Sequence, residues 1–328
     1  MTALSAKQRA QRVLPARMVE RLDRLAFQGR RARIRAVRGL AGAAGFNIVK
    51  KDDYYSTLPV LSALEATRAQ WDRPSPLVGL HVDVDAMRVR LLDLADRWEV
   101  EFSERAGGGA HKEAGRFGPG YPRFDARTLY YVLREHRPSA YLEVGSGTST
   151  YYASLAAERN EAEGDPMRVT CIEPHPYPAL ESVPGIELVQ RLVQDVDVEQ
   201  FEKLSAGDVL FIDSSHALKV GSDVAYLFLE VLPRLNEGVL VHIHDVPFPY
   251  NTPYPADTWL FGERWPVYWN EAMIVQAFLA FNSAFEMLLS TPLIRVEHEA
   301  ALVERFDDYV PVRVDPNPPS SLWLQRVA

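Results

Sequence analysis

Cysteine is almost missing from this chain. Of 328 residues only Cys171 is one, so no disulfide can form within it. Cys171 stands in an apolar run, where a lone thiol reads as a small buried hydrophobe rather than a reactive group. Long hydrophobic runs are missing too. No stretch reaches the roughly 20 apolar residues that a membrane-spanning helix needs, and no secretory apolar segment follows Met1. A cytoplasmic protein is the expectation. Internal repeats are absent, and the nearest thing to low complexity is the proline-rich turn at 316–319. What remains is ordinary for a globular protein, with 47% hydrophobic and 24% charged residues. The length suits one large domain with an extension, or two domains.

Acidic residues are scarce at the start. Residues 1–50 hold 12 Lys and Arg against Glu20 and Asp23, a net charge of +10, while the whole chain carries −8 and the remainder therefore −18. An acidic body argues against a nucleic-acid-binding core. In the basic leader, Met18, Leu22 and Leu25, then Ile34, Val37 and Ala41, recur at helical spacing, predicting two amphipathic helices separated near Gln28-Gly29. The plain reading is a docked helical hairpin with a solvated basic face. Residues 1–45 are also the candidate for contact with an anionic membrane surface, at the inner face of the membrane. Aromatic residues do not interleave with the arginines, which disfavours nucleic acid.

From Asp52 to Pro76 the chain turns irregular. Asp83 or Asp85 then caps a helix whose apolar positions are Met87, Leu91, Leu94, Trp98 and Phe102. Gly107-Gly108-Gly109 reads as a joint, which sets a mainly helical extension at 1–110 and a second domain at 111–328. Asp125 is expected to cap a helix through Leu133. Strands are predicted at 140–144, 168–172, 187–193, 208–212 and 239–243, with helices over about 149–158, 176–182, 198–204, 219–234 and 269–284. Near-continuous apolar strands such as Val209-Leu210-Phe211-Ile212, alternating with helices, predict an α/β, doubly wound parallel sheet. Phe285 to Thr291 and Ser321 to Val327 could pair antiparallel at its edge.

The chemistry concentrates where these strands end. Tyr141 to Thr150, YLEVGSGTST, breaks from a strand into Gly145-Ser146-Gly147 and opens a helix, which brings backbone N–H groups against a ligand. Thr150 stands where a dinucleotide fingerprint has its third glycine. Glu143, two residues before the loop, favours a cationic ligand over a pyrophosphate. The second strand ends on Glu173, suited to two ribose hydroxyls, and the third leads to Asp195, suited to an exocyclic amine. The fourth ends on Asp213-Ser214-Ser215-His216, and the fifth on His242-Ile243-His244-Asp245.

These motifs resemble the class I S-adenosylmethionine-dependent methyltransferases: Glu143 to Gly147 matches their first motif, and Glu173 their acidic ribose ligand. The resemblance covers roughly residues 120–328. It implies a Rossmann-like sheet with an antiparallel final hairpin, and S-adenosyl-L-methionine held by Glu143, Gly145, Ser146, Gly147, Glu173, Asp195 and Asp213. Within the family, Asp213-Ser-Ser-His216 and the following pair look like the branch of macrocin-type sugar O-methyltransferases and cephalosporin-hydroxylase-like proteins. That branch implies a divalent metal, placed here on Asp213, His244 and Asp245, with His216 as base. The pair His244-Asp245 departs from the branch's two carboxylates, and a nitrogen ligand suits a transition metal better than Mg²⁺.

The chemistry also stands without the family. An alcohol is a poor nucleophile at neutral pH, and a neutral imidazole can take its proton as it attacks. His216 is the first choice for that base, with Asp213 and His244 as further catalytic candidates. The aromatic, proline-rich Pro247 to Trp259, with Trp265, Tyr268 and Trp269, is read as a wall of the acceptor pocket. The expected function is O-methylation of a sugar, a glycosylated metabolite or another small molecule. A nicotinamide-dependent oxidoreductase and a non-catalytic cofactor-binding relative are the alternatives. The expected partner is a small-molecule or glycoside acceptor, and self-association is compatible with the sequence.

Overall fold

Val209-Leu210-Phe211-Ile212 is buried at all four positions, as a central strand covered on both faces must be. In the computed structural model it is one of seven strands in a single sheet. The structure describes residues 16–51, 53–106, 113–312, 314–315 and 317–328. The expected joint at Gly107-Gly108-Gly109 lies outside them. The strands are β1 (Ala140–Val144), β2 (Arg168–Ile172), β3 (Ile186–Val189), β4 (Val209–Ile212), β5 (Leu240–Ile243), β6 (Phe285–Ser290) and β7 (Leu322–Arg326). Their order is β3-β2-β1-β4-β5-β7-β6, parallel from β3 to β5, with β7 antiparallel to both β5 and β6.

Chain connectivity reverses direction between β1 and β4, so the crevice beyond those two strands is the place for a ligand. Register sharpens this. Val144 pairs with both Ile172 and Ile212, and Ile212 with Ile243. Gly145, Glu173, Asp213 and His244 are each the next residue, so the four stand along one edge.

The longer helices are α1 (Ala16–Ala43), α2 (Val84–Ala106), α3 (Arg123–His136), α4 (Thr148–Ala162), α5 (Glu271–Leu279) and α6 (Thr291–Arg305). The chain divides into two units, 1–66 and 67–328, rather than near residue 110. The reason is α2, whose Met87, Leu91, Leu94 and Phe102 are buried in the core of the second unit. Asp83 caps α2, accepting from the Ala86 N–H at 2.9 Å. Ion pairs tie it to α3 and α4: Arg134, 1% exposed, binds Glu101 of α2 at 2.6 Å and Glu163 after α4 at 2.7 Å.

In the first unit α1 is one continuous helix, not two. Gly29 costs only about 1 kcal/mol inside a helix, and good helix formers flank it. Met18, Leu25, Val37 and Leu40 are exposed on one side, which Arg30 and Arg33 share at helical spacing, and Arg17, Arg21, Arg24, Arg31, Arg35 and Arg38 fall on the other. No helix among the described residues is long and apolar enough to cross a membrane.

Candidate active site

Gly145 opens the loop after β1 with φ +97°, a left-handed backbone that glycine adopts freely. A Cβ there would stand 2.3 Å from the carbonyl oxygen of Asp213, and one on Gly147 2.9 Å from that of Phe117. The loop is thus pressed against the end of β4 on one side and the 115–117 turn on the other. Gly147 N–H donates to Thr150 Oγ1 at 3.0 Å, which fixes the start of α4.

Glu143 has a different place from the expected one. It is fully buried, and its oxygens accept from the hydroxyls of Ser149 and Thr150, the latter at 2.7 Å, with Cys171 Sγ 3.4 Å away. It therefore latches β1 to α4 instead of meeting a cationic ligand: the turn folds the first helical hydroxyls back over it. Burial pushes its carboxyl up to about 7, against the hydrogen bonds from Ser149 and Thr150. Burial likewise pushes the Cys171 thiol up. Because folding favours neutral Glu143, its stabilisation is complete below the unfolded value of 4.5 and is lost as pH rises through about 7. At higher pH the buried charge costs about 3 kcal/mol, at about 1.4 kcal/mol per unit. Glu143→Gln is expected to gain in melting temperature relative to the parent between about pH 5 and pH 8; a difference independent of pH would sink this.

Glu173 is half-buried after β2, one oxygen holding the His175 N–H at 2.7 Å. Asp195 is exposed in the Val193–Asp195 turn after β3, which leaves its strand at Val189 rather than at 193. Beside these, Ser146 Oγ, Gln194 Oε1 and Ser214 Oγ are buried with no hydrogen-bond partner among the described residues. Buried polar atoms are ordinarily paired, so three orphans on the loops after β1, β3 and β4 leave hydrogen-bonding capacity for a ligand at the carboxyl edge, where Gly145, Ser146, Gly147, Glu173 and Asp195 also stand.

Across the switch point two histidines converge on two aspartates. His216 Nε2 lies 3.2 Å from Asp213 Oδ1 and 3.4 Å from Asp245 Oδ2. His244 Nδ1 lies 3.6 Å and 3.7 Å from the Oδ1 atoms of the same pair. Behind each ring stands a carboxylate that sequence reasoning missed. Glu271 of α5 binds His216 Nδ1 at 2.7 Å, and Asp125 of α3 binds His244 Nε2 at 3.2 Å. Asp125 is not a helix cap, as expected; it lies inside α3, fully buried, and also takes Thr291 Oγ1 at 2.9 Å and Ser320 N–H at 2.8 Å. His216 and Asp245 both have left-handed backbones, φ +55° and +58°. Such strain in non-glycine residues gathers at functional sites, and here it turns both side chains toward one point.

Burial opposes charge on His216, but Asp213, Glu271 and Asp245 outweigh it and hold its pKa well above the usual value. For His244 burial is likewise overcome, by Asp245, Asp213 and Asp125. Burial raises Asp213, yet His244 and His216 bring it below the carboxylate range. His242 is different in kind: burial, then His244, lowers its pKa, and it stacks on Trp323 at 4.1 Å with Ser321 Oγ 2.8 Å from Nε2. It is a packing residue.

A divalent ion fits this set. Asp213, His216 and Asp245 bring ligand atoms within 4.8 Å of one another. The expected set had His244 in place of His216; His244 reaches both aspartates, and its buried Nδ1 has no hydrogen-bond partner among the described residues.

His216 and Asp245 also line a cavity of about 330 Å³. Its far wall comes from the Pro247–Trp259 segment, as expected, with Trp269. Tyr250 and Tyr254 stack 4.0 Å apart, and Trp269 lies 5.0 Å from Trp259 and 4.7 Å from the His216 ring. Trp265 and Tyr268 are not among the lining residues, and Trp265 is exposed. A further wall, from Arg295, Val296 and Glu299 of α6 with Val312, Asp315 and the stretch 317–320, was not read from the sequence.

Residues 142–246 match the family model described as a methyltransferase domain, a span that runs from β1 past Asp245. No curated protein matches the chain in sequence. Among solved structures, the O-methyltransferase TomG of Streptomyces achromogenes, in complex with SAM, is 15% identical at a TM-score of 0.44, over 71% of this chain and 98% of its own. The O-methyltransferase of Bacillus cereus in complex with SAH is 12% identical at 0.38, over 75% and 100%. CmcI is 15% identical at 0.37, over 63% and 72%. None of these assigns a role to a residue here. The match to a methyltransferase domain falls on the stretch from β1 to β5 of the β3-β2-β1-β4-β5-β7-β6 sheet, the stretch that carries the glycine loop, Glu173, Asp213, His216 and Asp245.

Proposed function

We propose that the chain methylates a hydroxyl of a sugar-like or glycosylated small molecule, with His216 as base. The observation that carries this reading is that His216 belongs at once to the acidic cluster beside the glycine loop and to the wall of the aromatic cavity. Bound S-adenosylmethionine supplies a methyl group on a positively charged sulfur. The acceptor oxygen attacks that carbon, the carbon–sulfur bond breaks with its electrons returning to sulfur, and the hydroxyl proton goes to His216 Nε2. Glu271, holding Nδ1–H, turns Nε2 to the reaction; because the surrounding carboxylates raise the pKa of His216, the neutral imidazole that can take the proton predominates only at pH above that raised value. Asp213, Asp245 and an imidazole would hold a divalent ion, which lowers the pKa of a bound hydroxyl.

Four buried polar atoms on cavity-lining residues have no partner among the described residues: Asn251 Oδ1, Thr252 Oγ1, Glu271 Oε1 and Arg295 Nε. Acceptors and a donor set among aromatic faces suit a ring carrying several hydroxyls. Calorimetric titration with S-adenosylmethionine, followed by transfer of its labelled methyl group to a panel of glycosides and phenols, tests the reading. No cofactor binding at millimolar concentration would remove it, and transfer to carboxylates alone would remove the hydroxyl.

We also propose that α1 lies on an anionic lipid surface, with the Arg17, Arg21, Arg24, Arg31, Arg35 and Arg38 face and the ends of Arg30 and Arg33 reaching the headgroups and the Met18 and Leu25 side against the interface. Deleting residues 1–43 is expected to lower partition onto phosphatidylserine vesicles severalfold; unchanged partition rejects the proposal.

A further inference from the structure

Among the described residues, four carboxylates line the acceptor cavity, Asp245, Glu271, Glu299 and Asp315, against two bases, His216 and Arg295. Both bases are already met within the wall. Arg295 Nη1 holds Asp315 at 2.8 Å, and His216 lies 2.7 Å from Glu271 and 3.4 Å from Asp245. The lining therefore keeps an excess of negative charge, to which Glu299 contributes. Its Oε1 is fixed by the Val312 N–H at 2.6 Å and the Tyr309 hydroxyl at 3.3 Å.

Unmet hydrogen bonds lean the same way. Four buried atoms on lining residues have no partner among the described residues. Asn251 Oδ1 and the carboxylate Oε1 of Glu271, a residue 1% exposed, accept; Thr252 Oγ1 does either; Arg295 Nε alone must donate. A buried acceptor costs free energy until a donor meets it. The rings supply a third element. Tyr250, Tyr254, Trp259 and Trp269 line the same cavity, and an aromatic face attracts a cation within about 6 Å of its centroid.

We infer that the acceptor carries a protonated amine besides the hydroxyl to be methylated, as an amino-substituted alcohol or sugar does, and that the aromatic rings and the excess negative charge of the cavity wall recognise it. The inference rests on the proposed methyl transfer and narrows its substrate class. A protonated nitrogen has no lone pair, so it is held and not methylated, and the hydroxyl remains the nucleophile. A neutral glycoside satisfies the unmet acceptors but leaves the charge of the wall unmatched. An anionic acceptor would have to take Arg295 from Asp315 and meet Asp245, Glu271 and Glu299 as like charges.

The test uses the full chain and is read first without cofactor. Choline and its carbon isostere, in which a tert-butyl group stands for the trimethylammonium, share a shape and a hydroxyl and differ in the positive charge. By calorimetry choline is expected to bind about tenfold or more tightly, with the preference shrinking as salt is added. Glu299→Gln keeps an acceptor for Val312 and Tyr309, and Trp259→Leu removes one ring. Each is expected to cut the choline preference about threefold or more, with melting curves showing that it is folded. With S-adenosylmethionine present, kcat/KM for methyl glucosaminide, at a pH where its amine is protonated, is expected to exceed that for methyl glucoside and methyl N-acetylglucosaminide about tenfold or more. Equal binding of the two isosteres, no binding of either at millimolar concentration, or a preference unchanged in both variants overturns the inference. So does faster transfer to methyl glucuronide than to the glucosaminide. Loss of the choline preference with S-adenosylmethionine still bound refutes the amine alone, whereas failure to bind S-adenosylmethionine refutes the methyl transfer.

Discussion

His216→Asn is expected to lower methyl transfer about 10²–10⁴-fold, the usual worth of a positioned base, and to leave affinity for S-adenosylmethionine unchanged. Asparagine is the informative replacement for two reasons. It tolerates the left-handed backbone that position 216 requires, so the turn after β4 keeps its shape. It can also still donate to Glu271, so no buried carboxylate is left without a partner. What it cannot do is accept a proton at the position of Nε2. Single-turnover transfer of labelled methyl together with cofactor calorimetry separates the effects. Loss of cofactor binding in step with activity would mean that His216 shapes the crevice and does no proton transfer.

Gly145→Ala is expected to have the broadest consequences of any single methyl group in the protein. The new Cβ would lie 2.3 Å from the Asp213 carbonyl oxygen, a backbone atom that is itself tied down, since Asp213 N–H donates to Val144 O at 2.9 Å. The left-handed conformation alone costs alanine about 1–2 kcal/mol, and the clash adds to it. Relief requires β1 and β4 to part at their carboxyl ends. One substitution should therefore weaken cofactor binding at the glycine loop and disturb Asp213, with a drop in thermal stability. Cofactor affinity and melting temperature both within error of the parent would refute the close approach.

The sheet was legible because parallel strands write themselves as apolar runs. Ala140–Val144 and Arg168–Ile172 fall where the sequence predicts them, and so do the glycine loop, Glu173 after β2 and Asp213 after β4, whereas Asp195 stands in a turn well past the end of β3. The helix expected over 219–234 begins only at Asp223, because Ser222 caps it, accepting from Ala225 N–H at 3.2 Å, and it passes through a π turn at Leu227–Val231 that periodicity alone does not reveal. Asp125 and Glu271 escaped for another reason. Their partners lie 119 and 55 residues away, and no local pattern encodes that distance. A faint signal was present: each acid stands four residues before a buried apolar side chain of its own helix, Leu129 and Val275, and so on the face that packs inward. An acid on a core-facing stripe needs a buried partner. In this chain the partner is a histidine each time.

Cys171, whose thiol rests against Glu143 behind the glycine loop, makes the protein its own reporter. It is the only sulfhydryl in the chain and is fully buried. A thiol reagent can reach it only when β1, β2 and the start of α4 separate, so the rate of modification measures how often the cofactor cradle opens. No dye need be engineered in and no background cysteine removed. Saturating S-adenosylmethionine should slow that reaction, and the ratio of the two rates reads the coupling between occupancy of the loop and closure of the fold around it.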